Sequence, residues 1–231
     1  TKQKHRLSIG HQHNRNKQGY STMKELEGNL IGLFPTPVGQ YQLPPLTKSQ
    51  YEFILGQGNT KNRFNKISLT RSILEDKLMA VVKSKIEYCL DKYLMETVSP
   101  RPNIKLRITQ SWSNYTGVGE EHHRHSHANS VISGVYYVQT LDTDTITFHN
   151  HEREEARWDV EPRALHHFNA PTWWISTPQD SLVLFPSELV HSVSTRETKD
   201  ANAPDRISIS FNTFYTGELG GEQSATKLIL P

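Results

Sequence analysis

Arg206-Ile207-Ser208-Ile209-Ser210-Phe211-Asn212 (RISISFN) is the stretch that decides the fold of this 231-residue chain. On an extended strand successive side chains point to opposite faces. Arg206, Ser208, Ser210 and Asn212 then share one face, and Ile207, Ile209 and Phe211 share the other. Such a strand needs an apolar layer on one side and lines a polar cavity on the other. An arginine on a cavity face suits a carboxylate, because its planar fork meets both oxygens. Upstream, Val131–Val138 (VISGVYYV), Thr145–Phe148, Ser181–Phe185 and Val190–Val193 read as further short strands bounded by turn residues. Leu106, Ile108, Gln110 and Trp112 alternate with polar neighbours as one face of another strand. Many short strands with Gly/Pro turns predict a sandwich, jelly roll or barrel.

Before Pro102 the period is helical. Ser72–Met95 is predicted as a helix, opened by a Ser72/Glu75 capping box. Leu74, Leu78, Val81, Val82, Ile86, Cys89, Leu90 and Tyr93 form its apolar stripe, with Cys89 as a small core residue. Leu30–Tyr41, with Pro35 and Pro37, suits an edge strand. The fold class expected is mainly β with N-terminal helices. Four parts are expected: a flexible basic arm (1–25), an N-terminal strand and helical support region (26–102), a β core (103–215) and a C-terminal tail (216–231).

Charge and composition exclude several classes. Residues 1–24 carry Lys2, Lys4, Arg6, Arg15, Lys17 and Lys24 and no acid, leaving twenty bases against twenty-four acids in the remainder. The net charge of +2 is therefore a tail effect, and an acidic body argues against a nucleic-acid-binding core. No apolar run approaches the roughly 20 residues of a membrane helix. One cysteine excludes a disulfide scaffold and a Cys-based zinc ribbon, so the cytosol is the expected compartment.

Histidine is the unusual residue. Nine of twelve lie between His122 and His191, and imidazole is the commonest metal ligand. In Glu120–Ser130 (EEHHRHSHANS), His125 and His127 are two apart and share a face. A buried strand and a Phe185-Pro186 turn then lead to a single histidine, His191. His149 and His151 repeat the two-residue spacing and form a rival pair. Residues 148–180 read as a long loop over the site, in which Trp173 and Trp174 are expected to pack.

The order H-x-H, buried strand, single His, R-x-S resembles that of the Fe(II)/2-oxoglutarate-dependent oxygenases. More narrowly, the chain resembles a family of 2OG-Fe(II) oxygenases found in bacteria and marine phages. The resemblance runs over about residues 30–215: Leu33–Val38 (LFPTPV), Trp112–Tyr115 (WSNY), His125–Val138 (HSHANSVISGVYYV), Leu184-Phe185-Pro186 with His191, and RISISFN. It implies a double-stranded β-helix, a jelly-roll, cupin-like core. It also implies Fe(II) as cofactor and 2-oxoglutarate and O2 as cosubstrates, with hydroxylation of an unidentified substrate and release of succinate and CO2. His125 matches the first metal ligand and His191 the distal one. Arg206 matches the base that pairs with the far carboxylate of 2-oxoglutarate, with Ser208 as its hydroxyl helper. Tyr137 or Tyr136, and Asn129, are further contacts to the cosubstrate. The chain departs from the family at one point. Two residues after the first histidine, where the family usually has a carboxylate, stands His127. His127 is the expected third ligand, ahead of Glu120, Glu121 or Glu188. The location implied is cytoplasmic, in the host cell if the gene is a phage's. Two rival readings are a cupin-like metalloenzyme that does not use 2-oxoglutarate and a non-catalytic structural jelly roll.

Overall fold

The computed structural model describes residues 29–150, 160–196, 198, 200, 202–221, 223 and 225–231. The chain divides into two units, Thr1–Leu33 and Phe34–Pro231. Of the first, only residues 29–33 are described, and they form neither helix nor strand. The basic arm lies outside the described residues, as do His151 and Trp158.

The second unit is built on eight strands that pair in a nested order. These are β4 (Lys105–Thr116), β5 (His122–His125), β6 (Ile132–Gln139), β7 (Thr145–His149), β8 (Thr172–Ser176), β9 (Ser181–Pro186), β10 (His191–Val193) and β11 (Arg206–Leu219). Antiparallel pairs join β7 to β8, β6 to β9, β5 to β10 and β4 to β11, so the chain runs out and returns alongside itself. This doubled ribbon is wound so that β9, β6, β11 and β4 lie in one sheet and β5, β10, β7 and β8 in a second. That arrangement is a double-stranded β-helix, a jelly roll. The larger sheet is extended by β1 (Gly39–Gln42) beside β9 and by a hairpin of β2 (Asn59–Lys61) and β3 (Lys66–Ser68) beside β4.

Alternation sorts the larger sheet's side chains. Tyr136, Val138, Leu182, Leu184, Ile207, Ile209 and Phe211 join one core cluster with the helices. Val135, Tyr137, Val183 and Phe185 join Ile146 and Phe148 of the smaller sheet in another. At Gly134 the Phe211 ring lies across the strand and leaves no room for a side chain. A Cβ there would stand 2.1 Å from Cζ of Phe211, its register partner.

Several expectations are corrected. The predicted single face of Leu106, Ile108, Gln110 and Trp112 is broken by a bulge, because Asn212 pairs with Gln110 while Thr213 pairs with Ile108. The extra residue, Thr109, flips the alternation. Leu106 and Ile108 pack with the helices, whereas Trp112 turns to the other face, 6.1 Å from the His127 ring. Ser72–Met95 is not one helix. Two short 3-10 turns (Ile73–Glu75 and Lys77–Met79) precede α2 (Ala80–Thr97), and Ser72 makes no side-chain cap. Asp76 caps instead, and the Glu75 carboxylate pairs with Lys83 at 2.7 Å. Leu78, in the second 3-10 turn, and Val81, off the buried stripe of α2, are exposed, while Val82, Ile86, Cys89, Leu90 and Tyr93 are buried. An unexpected helix, α1 (Lys48–Leu55), starts at a true capping box of Thr47 and Gln50. Of the expected Leu30–Tyr41 edge strand only the last three residues are paired, in β1, which runs from Gly39 to Gln42. Within the C-terminal tail, β11 continues to Leu219 and β12 (Leu228–Leu230) pairs with it, with a left-handed Gly220 (φ +96°) just after β11. Residues 148–180 contain β8, on which Trp173 and Trp174 are 48% and 62% exposed rather than packed. Among the described residues no helix is long and apolar enough to cross a membrane.

Candidate metal centre

Strand pairing assembles the histidines. His191 at the start of β10 stands opposite His125 at the end of β5, with ring centroids 4.4 Å apart. The chain turns after β5, and the His127 amide donates to the Ser187 carbonyl at 2.9 Å. This places the His127 ring 5.1 Å from His125 and 5.2 Å from His191. One candidate ligand nitrogen from each of the three lies within 4.8 Å of the others.

The outer nitrogens are already committed. Nδ1 of His125 donates to the His123 carbonyl at 2.7 Å, and Nδ1 of His191 donates to the Leu189 carbonyl at 2.9 Å. Nδ1 of His127 donates to Oδ1 of Asn212 at 2.6 Å. Such bonds fix the tautomer and leave the Nε2 lone pair free for a metal. The Nε2 atoms of His125 and His127 are 3.1 Å apart. The Asn212 amide is held in turn by the hydroxyl of Ser133, which donates to Oδ1 at 3.0 Å, and Ser133 contacts Ser187 at 2.9 Å. Burial, then neighbouring imidazoles, push the His191 ring down to about 3, and burial also lowers His125 and His127. All three are therefore neutral near pH 7, as a ligand must be.

Beside the rings lies a cavity of about 300 Å3, walled by Trp112, Gln110, Asn114 and Arg71 as well as His122, His125 and His127. The polar face of β11 runs from this end, at Asn212, through Ser210 and Ser208 to Arg206. Asn114 donates to Ser210 at 2.9 Å. Arg206 is buried, with Nη1 3.4 Å from Oδ1 of Asp144. The Tyr137 phenol is buried near Arg206 and Asp144, and burial raises its pKa, so it stays protonated.

Gln110–Asn212, two residues that pair across β4 and β11, also bound a sequence match. Residues 110–212 match the profile of a family described as "Putative 2OG-Fe(II) oxygenase". Over this segment the chain is similar to the 2OG-Fe(II) oxygenases. Its fold is similar to that of SnoN, a non-haem α-ketoglutarate-dependent epimerase of nogalamycin biosynthesis (TM-score 0.51, 10% identity, 81% of this chain and 83% of that chain). Solved structures also include HygX from Streptomyces hygroscopicus with nickel and 2-oxoglutarate bound (TM-score 0.49, 11% identity, 77% and 82%). A third is a 2OG-Fe(II) oxygenase family oxidoreductase from Burkholderia pseudomallei (TM-score 0.48, 11% identity, 76% and 84%). At such identities the likeness speaks to the fold alone. No curated protein matches the sequence.

Within the matched segment the remaining candidates separate. Ser208 is buried on the Arg206 face, and Tyr137 is its register partner. Tyr136 points the other way, into the helix-side core, with its hydroxyl donating to Asp180 at 3.0 Å. Asn129 is exposed with φ +56°, the left-handed conformation that asparagine tolerates in a turn. Glu120 accepts from the Gly117 amide and Glu121 from the Thr195 hydroxyl, while Glu188 is exposed and acts on Tyr93 and Tyr215. No carboxylate joins a candidate metal group among the described residues. A second group, His122, His123 and His125, shares His125 with the first. His149 contacts Ser192 at 2.9 Å, outside both groups. Asp144, Arg196 and Ser133 were not legible as site residues. Asp144 and Arg196 sit in loops without pattern, and Ser133 reads as one more strand residue.

Proposed function

We propose that His125, His127 and His191 hold Fe(II) through their Nε2 atoms and that the chain is a 2-oxoglutarate-dependent hydroxylase. The observation that carries this reading is the set of three outward Nδ1 anchors, which leaves three neutral imidazole lone pairs at one point. Imidazole suits iron, and a donor set of three leaves positions open for cosubstrate and oxygen. The iron and 2-oxoglutarate, when bound, supply oxidation of a substrate C–H bond, with succinate and CO2 as co-products. The protein's part is to bind, orient and shield.

Three neutral ligands leave the full charge of the ion uncompensated, which favours a dianionic cosubstrate over a set containing a carboxylate. Arg206 pairs with the far carboxylate of 2-oxoglutarate, with Ser208 and the Tyr137 hydroxyl as further donors. Asn212, braced by Ser133, keeps His127 in one tautomer and one orientation. Trp112 and the amides of Gln110 and Asn114 form the wall past which substrate approaches. The reaction belongs in a reducing compartment, the cytosol, where Cys89 stays a buried free thiol.

The test is anaerobic titration of apoprotein with Fe(II) and then 2-oxoglutarate, followed by succinate release in air. One equivalent of metal, a weak visible charge-transfer band on adding 2-oxoglutarate and succinate release in air are expected, with loss of all three in His191→Ala. Stoichiometric metal with no band and no succinate would leave the cupin-like alternative. No stoichiometric metal would leave a structural jelly roll.

A further inference from the structure

The base of the polar face holds two guanidiniums and one carboxylate. Arg206 Nη1 lies 3.4 Å and Arg196 Nε 3.5 Å from the same oxygen, Oδ1 of Asp144. The other carboxylate oxygen accepts from the Leu141 amide at 2.8 Å. All three side chains are withdrawn from solvent, with Arg196 4%, Arg206 5% and Asp144 5% exposed. Arg196 Nη1 donates to the Pro204 carbonyl, but its Nε and Nη2 have no hydrogen-bond partner. A buried charged donor left unmatched is expensive, and native proteins rarely keep one without a reason.

Arg196 is nevertheless held in place. Its amide donates to the Glu120 carbonyl, and its carbonyl accepts from Gly119, both at 2.9 Å. With Arg206 and Asp144 it lines a cavity of about 430 Å3, whose other walls include the hydroxyl-bearing Thr143, Thr145, Ser194 and Thr195. Two fixed cations against one half-committed carboxylate leave a positive charge facing that cavity. The missing partner is an anion with two oxygens to share between two guanidiniums.

We propose that Arg196 is a second reader of the far carboxylate of 2-oxoglutarate, acting with Arg206, and that the pair makes the site selective for a dicarboxylic 2-oxo acid over a monocarboxylic one. This rests on the hydroxylase reading above. Asp144 spaces the two guanidiniums and keeps them from repelling each other before the cosubstrate arrives. A monocarboxylic 2-oxo acid of similar length leaves Arg196 as unmatched as it is without ligand, so it gains nothing from this residue.

The experiment uses the full-length Fe(II)-loaded protein with Arg196→Gln and Arg196→Lys, and measures KM and kcat for uncoupled succinate formation. Anaerobic titration with 2-oxoglutarate and with 2-oxobutyrate gives the two affinities. Arg196→Gln is expected to raise KM and Kd for 2-oxoglutarate about ten- to a hundredfold. The kcat should hold within about twofold, and 2-oxobutyrate affinity should not change, so the ratio between the two acids collapses. Arg196→Lys keeps the charge but not the fork, and should fall between. Should Arg196→Gln fail to fold, Arg196→Lys alone decides. A variant that folds, binds iron and discriminates between the acids as the wild type does would overturn the proposal and leave Arg196 as a structural plug, with the hydroxylase reading intact. Wild-type protein that binds iron but ignores 2-oxoglutarate would sink the hydroxylase reading itself.

Discussion

The two faces of β11 are seven residues of the same backbone put to opposite uses. Ile207, Ile209 and Phe211 lie in the core shared with the helices, while Arg206, Ser208, Ser210 and Asn212 are also buried on the other side. The first face is held by contact area and shape. The second is held by hydrogen bonds and by the Arg206–Asp144 ion pair. The β11 part of the site needs no loop to position it, since a strand fixed from behind by an apolar core presents its polar side chains rigidly in front. The difference predicts that substitutions on the two faces fail in different assays.

Phe211→Ala is the largest effect expected. It removes a ring that fills the space over Gly134 and should destabilise by about 3–5 kcal/mol in denaturant unfolding. The folded fraction should still bind metal normally, and a loss of metal affinity per folded molecule would break the separation of faces. Asn212→Ala, the adjacent residue, should do the reverse. Unfolding of the apoprotein should change little, while metal affinity by isothermal titration should fall about 10–100-fold because His127 loses its anchor. A drop in apoprotein stability matching that of Phe211→Ala would show that both faces are simply core. Behind the helix-side layer, Thr47→Ala should lower stability by about 1 kcal/mol through loss of the α1 cap. Ser72→Ala, at a position that looks like a cap and is not one, should stay within about 0.5 kcal/mol of wild type. Equal effects from these last two would restore the single-helix reading.

The alternation on β11 was readable because both faces are buried by partners of opposite character, so the period of two survives in the residues. On β4 the same rule misleads. Nothing in Leu106–Trp112 announces the extra residue at Thr109, yet that residue turns Trp112 from the helix side to the metal side. Serine at position 72 with glutamate at 75 satisfies the capping pattern, but the local backbone follows 3-10 geometry and the bond is absent. Thr47 and Gln50 form the real box and went unread because the helix behind them is only eight residues long. The histidines drew attention by number and spacing. What brings His125 and His191 face to face is strand pairing across 66 residues, which spacing cannot display. Asp144 and Arg196 were invisible for the same reason. A buried ion cluster built from loop residues has no periodicity, and only the fold reveals that one carboxylate serves two guanidiniums.

The nested pairing of the strands carries a consequence for how the molecule forms. β7 and β8 can zip together early, but the partner of β4 is made about a hundred residues later, and loop closure over that span is slow to be rewarded. His125 and His191 sit midway along this zipper, and the anchor of His127 sits on its last strand. The three imidazoles therefore reach their final arrangement only once β11 has docked and Asn212 has met His127, so an ion held as we propose is captured late in folding and reads out completed assembly.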